Sequence, residues 1–150
     1  GDDYAVADVN AVSALDNAQA AIYSTAVRAG GAAHGQVLGV LGIAFDWGTQ
    51  ADAIVKGARL TETERSRTRV MLVDAQKRVI ASSDGKGQLV EQYDLKVSGP
   101  QGFYVQGDKL IAYARTPGYE TYKGLGWYGV LEIQHAPSTA ARHAVGGKRR

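Results

Sequence analysis

The sequence predicts an α+β domain built on an antiparallel sheet of about five to six strands with flanking helices. Three observations carry this. Apolar and aromatic residues alternate with period two in several short runs. Turn-forming residues separate those runs at hairpin spacing. One stretch alone has the amphipathic periodicity of a helix, so the strands must cover most of the core themselves. The clearest pair lies between Lys109 and Gln134. Leu110, Ala112 and Ala114 alternate with Ile111, Tyr113 and Arg115 in its first strand; Trp127, Gly129, Leu131 and Ile133 alternate with Tyr128, Val130 and Glu132 in its second. The connection TPGYETYKGLG supplies Pro117-Gly118 and Gly124-x-Gly126 as turn punctuation.

Taken in order, residues 1–19 space Val6, Val9, Val12 and Leu15 by three, a poor helix signal interrupted by Asp and Asn, and an irregular or partly helical lead-in is expected. Ala20–Arg28 reads as a strand with Tyr23, Thr25 and Val27 on one face, and Gly30-Gly31 to Gly35 as a hairpin loop. Val37–Phe45 is continuously apolar, as a central strand buried on both faces would be. Asp46-Trp47-Gly48 ends it. A helix is expected from Thr49, with Thr49 and Asp52 approximating a capping box and Ala51, Ile54, Val55 and Ala58 forming its apolar stripe. Glu62–Arg69 reads as a charged connection, Arg69–Val73 and Arg78–Ser82 as a hairpin across Asp74–Lys77, and Ser83–Gln106 as loop-rich with a short helix or edge strand near Leu89–Leu95.

The 150 residues are enough to bury one core, and 45% hydrophobic with 21% charged residues is ordinary globular composition. No apolar run reaches the ~18–20 residues of a membrane helix, and no basic region precedes an apolar core near Gly1 as in a secretory leader. Without cysteine the chain has no disulfide, thiol chemistry or thiolate metal site. The net charge of +2 comes from residues 135–150, which hold Arg142, Lys148, Arg149 and Arg150 and no acid. Ahead of that basic tail, which is expected to be flexible, 13 basic residues face 15 acidic ones, a balance of −2 that argues against a nucleic-acid partner.

Three segments then resemble a known family. VMLVDAQKRVIASSDG (Val70–Gly85) resembles the opening hairpin of the PAS-like modules of Cache sensor domains, extracytoplasmic ligand-binding domains of bacterial chemoreceptors, histidine kinases and diguanylate cyclases. GQVLGVLGIAFDW resembles the last strand of such a module with its exit helix, and LIAYARTPGY…GLGWYGVLEIQ its closing strand pair. Together they cover residues 20–134. Residues 20–60 could end one module and 69–134 form a second, or all the strands could share one sheet. The marginal core of 60 residues alone favours a single domain over 1–134. The resemblance implies a non-enzymatic sensor of a small organic molecule, periplasmic and membrane-anchored in its full-length context, with homodimerisation open. Where amine-recognising Cache domains often carry an Asp, this chain has Ala44, which speaks against an amino-acid ligand.

Candidate chemistry is sparse. His34, His135 and His143 fall in a loop and the tail, and no G-x-S-x-G, H-E-x-x-H, EF-hand or P-loop pattern occurs, so neither a catalytic nor a metal site is expected, nor a cofactor. Tyr113, Tyr119, Tyr122 and Trp127 fall within fifteen residues and suit a small-molecule wall as well as core packing. Arg115 beside them could clamp a carboxylate, making an organic acid one candidate ligand, or could pair with Glu120 or Glu132 in solvent. Asp46 and Trp47, at a strand end, could reach the same pocket; Asp46 could equally cap the helix. Asp74 reads as a turn former, and Tyr23 and Tyr104 are further aromatic candidates. The alternative to a sensor is a cytosolic PAS- or GAF-like interaction or dimerisation module without a ligand.

Overall fold

The structure, a computed structural model, describes residues 4–120 and 122–135. Three strands, β1 (Tyr4–Val12), β2 (Ala18–Arg28) and β3 (Val37–Asp46), form one antiparallel sheet in sequence order. Helices α1 (Trp47–Lys56) and α2 (Glu62–Arg65) follow. Then β4 (Thr68–Val73), β5 (Val79–Ser82), β6 (Gln101–Gln106), β7 (Lys109–Arg115) and β8 (Tyr128–Gln134) form a second antiparallel sheet in the order β5-β4-β8-β7-β6. The expected α+β class and the hairpins β4–β5 and β7–β8 are present. The expectation that all strands share one sheet is corrected: they divide three and five. No helix among the described residues is long and apolar enough to cross a membrane.

Two cores result. Trp47, Ala51 and Val55, one turn apart along α1, pack with Val9 and Ala21 of the first sheet and with Val70, Leu72 and Ile80 of the second. This helix therefore joins the two sheets. Across the five-stranded sheet, Met71, Val73, Val79, Ile111, Tyr113 and Val130 meet Leu95 from the segment between β5 and β6. Each such side chain fully buried stabilises the fold by on the order of 1.5–3 kcal/mol.

The lead-in is a strand, not irregular, and its spacing of three has a simple cause. Ala7 pairs with Ile22 but Asn10 with Ala20, so a β-bulge adds one residue and returns Val6 and Val9 to the same face. Asp8 and Val9 form that bulge. A polar net then pins it to the β4–β5 turn. The Arg78 guanidinium donates to the Val9 carbonyl (2.7 Å), to Asn10 Oδ1 (2.8 Å) and to Asp74 Oδ2 (3.0 Å). Asp74, 1% exposed, accepts from the backbone N–H of Gln76 (2.9 Å) and Arg78 (2.8 Å), the turn-forming role its position suggested.

Three further expectations are corrected. The run Val37–Phe45 is not a doubly buried central strand: β3 is an edge, paired on one side with β2, and exposed along its whole length. Helix α1 starts at Trp47 with Asp46 at its N-cap position, and Thr49 donates its hydroxyl to Asp46 Oδ2 (3.2 Å) instead of pairing with Asp52. The capping box belongs to α2, where Thr61 and Glu64 bond each other reciprocally. Finally, Leu89–Leu95 holds an Arg78–Gln92 bridge but no helix or strand, whereas Gln101–Gln106 at the end of the same stretch forms β6.

Candidate ligand-binding site

Where α1 spans the two sheets it does not fill the space between them. A cavity of about 570 Å³ remains, within the size range of small-molecule sites. The first sheet contributes Ala21, Tyr23 and Phe45; α1 contributes Trp47, Gln50 and Ile54; the second sheet contributes Leu72. The β7–β8 connection closes the remaining side with Thr116, Pro117, Tyr122, Gly124, Leu125 and Trp127.

Local chemistry fixes this wall. Thr116 extends the β7–β8 ladder, donating its backbone N–H (2.8 Å) and its hydroxyl (3.2 Å) to the Trp127 carbonyl. Tyr119 and Tyr122 exchange two backbone hydrogen bonds at the loop tip (2.8 and 2.9 Å). Gly118 makes that closure possible, since a Cβ there would lie 2.0 Å from the Tyr122 carbonyl oxygen. The two indoles meet edge to face with centroids 4.9 Å apart. Trp47, 2% exposed, donates Nε1–H to the Ile80 carbonyl (2.6 Å), and Trp127 donates its own to both carboxylate oxygens of Asp8 (3.0 and 3.1 Å). Across the cavity the hydroxyls of Tyr23 and Tyr122 lie 3.3 Å apart, and the Tyr122 ring also packs near Tyr4. Burial, with the Tyr23 hydroxyl second, raises the Tyr122 phenol above its ordinary pKa and keeps it protonated.

Of the residues singled out from sequence, Trp47, Tyr122, Trp127 and the further candidate Tyr23 come together here. The others do not. Arg115 pairs with Tyr128 and shares the Ile111–Tyr113 side of β7, which faces away from α1. Of its two expected partners, Glu132 is held by Lys109 Nζ and the Tyr93 hydroxyl, each at 2.8 Å. Tyr113 is buried in the far core and accepts from the Ser98 N–H (2.9 Å), and Tyr104 packs beside it. Tyr119 is 75% exposed at the loop tip. Asp46 stays at the start of α1, on the side of β3 opposite Phe45. Sequence reasoning missed Phe45, Gln50, Ile54, Leu72 and Leu125. Ile54 was legible as helix stripe and Leu125 as the apolar residue within the glycine-rich connection, but nothing marked Asp8 as the acceptor for Trp127.

This architecture is shared with solved ligand-binding domains. The domain of the Pseudomonas aeruginosa PAO1 amino-acid chemoreceptor PctC in complex with GABA matches with a TM-score of 0.63 and 18% identity, over 88% of this chain and 56% of that one. The PctB domain from the same organism, in complex with L-arginine, matches at 0.57 and 15%, over 88% and 50%. The Pseudomonas fluorescens CtaA domain with L-alanine matches at 0.53 and 17%, over 87% and 54%. The fold is one that these three domains share. It agrees with the Cache-type architecture that the three sequence segments resemble. The chain spans about half the length of these domains. No protein-family model matches the chain, and no curated protein does.

Proposed function

We propose that this chain is the ligand-sensing part of a bacterial signal-transduction receptor, a chemoreceptor, histidine kinase or diguanylate cyclase, and that it acts outside the cytoplasm without chemical turnover. The observation that carries the reading is the placement of the cavity. Its wall draws on both sheets, the helix between them and the β7–β8 connection, so an occupant touches every part whose relative position could change. A ligand that binds one arrangement of the sheets better than another shifts the population toward it, and an output module joined to the domain reads that shift. Trp47, Tyr122, Trp127 and Tyr23 are the proposed contacts.

Both tryptophans of the chain border the cavity, which makes intrinsic fluorescence a direct probe. A small-molecule screen should find compounds that change tryptophan emission and raise the unfolding temperature together. At a hundredfold excess over Kd the stabilisation is roughly 2.7 kcal/mol. A second reading, a dimerisation module with no ligand, is favoured by bare β3, where Leu38, Val40 and Ile43 are 66, 73 and 59% exposed. Light scattering separates the two: that module would be a dimer and respond to no compound.

A further inference from the structure

The chemistry of the wall selects among ligands. We propose that the cavity takes an uncharged, planar ring compound bearing one hydroxyl or carbonyl, in contrast to the amino acids and GABA bound by domains of the same fold; the proposal rests on the sensing reading above. None of the residues lining the cavity carries a charge. An ammonium or carboxylate moved into it would lose water without gaining a counter-ion, which is costly. Three charged residues on the neighbouring elements are turned to other roles. Asp8 accepts from the Trp127 indole and from the Val9 N–H (2.7 Å). Asp46 accepts from Thr49 at the start of α1, and Arg115 belongs to the side of β7 facing away from the cavity.

The remaining features describe a shape. Because both indole N–H groups already have acceptors, Trp47 and Trp127 offer ring surface and not donors. With Phe45 they suit stacked or edge-on contact with a flat ring. Besides Thr116, whose hydroxyl is committed to the Trp127 carbonyl, the polar side chains of this lining are the Gln50 amide and the mutually hydrogen-bonded hydroxyls of Tyr23 and Tyr122. One of the two hydroxyls donates to the other, so the pair keeps one proton for a ligand carbonyl and can accept from a ligand hydroxyl, and the neutral amide can do either. A volume near 570 Å³ accommodates one or two fused rings with their substituent.

The test uses one ring with three charges: 2-naphthol, 2-naphthoate and (2-naphthyl)methylammonium, titrated into the 150-residue protein by calorimetry and tryptophan fluorescence. The naphthol is expected to bind at least tenfold more tightly than either ion. Tyr122→Phe should weaken naphthol several-fold and leave unsubstituted naphthalene unchanged. Leu125→Trp, which pushes a larger ring into the cavity from its wall, should weaken binding at least tenfold; circular dichroism checks that both variants fold. If an ion binds as tightly as naphthol and Leu125→Trp weakens that binding, the ligand class is overturned and the sensing site stands. If none of the probes binds, the ligand class is overturned and the sensing reading stands; if binding is unchanged in Leu125→Trp, the cavity itself is overturned as the site and both readings fall.

Discussion

The two sheets of this molecule solve the same problem unequally. The five-stranded sheet is covered on both sides at its centre: α1 lies over Val70 and Leu72, and Leu95 with Tyr93 lies over Met71 and Val130. The three-stranded sheet gives one side to α1 and the cavity and leaves β3 bare. The stability of the molecule is therefore concentrated in the second sheet and its turn, while the first contributes a wall that tolerates change. Recognition needs such a wall, because a surface already packed on both sides has no room for a guest.

That contrast can be broken or sharpened by substitution. The largest expected effect is at the turn that ties the sheets together. Asp74→Ala leaves the Arg78 Nε–H and two backbone N–H groups without their acceptor and should cost about 3–5 kcal/mol in chemical denaturation. Next, Met71→Ala in the far core should cost about 2–5 kcal/mol, whereas Ile43→Ala on β3 should stay within about 0.5 kcal/mol of the parent; equal losses would refute the contrast.

A pH profile gives a smaller effect. Arg69 donates to both oxygens of Glu91 (2.9 and 2.7 Å), and this bonding, with burial opposing it, holds the Glu91 carboxyl below the usual glutamate range. A folded-state pKa below the unfolded one adds stability that is complete above the ordinary value and is lost as pH falls from there through the depressed folded-state value. Arg69→Gln should thus lose more stability at pH 7 than at pH 3, flattening the acid limb of the unfolding curve. The smallest effect is expected from Val40→Lys. Stability should be unchanged within about 0.5 kcal/mol, while any concentration-dependent rise in mass seen by light scattering for the parent should disappear, since a charge on an edge strand blocks pairing.

Much of the second sheet was legible because its signals are local. Asp74 announces its turn, and the alternation in Lys109–Arg115 and Tyr128–Gln134 survives without interruption. The first sheet was harder. The bulge at Asp8–Val9 shifts the alternation of β1 by one, which makes a strand look like neither strand nor helix. The apolar run of β3 has the composition of a buried strand, and composition does not say whether a second neighbour exists. The site shows the same boundary. Tyr122 and Trp127 stood out because aromatics in a glycine-rich connection are unusual. Arg115 lies beside them in sequence, yet register places it on the other side: Trp127 is followed by Tyr128 opposite Arg115, so their side chains diverge. Which parity of a strand faces a cavity is settled by what packs above it, and no pattern inside the strand carries that information.

The hydrogen bond from the Trp127 indole to Asp8 spans 119 positions of the chain. Contacts of such separation form late and slowly, because the intervening polypeptide must be ordered before they gain anything. The cavity is therefore complete only once Asp8 and Trp127 have met. Half-finished or clipped molecules would offer a few scattered aromatic rings, and occupancy measured in a sample would count only molecules whose folding had run to completion.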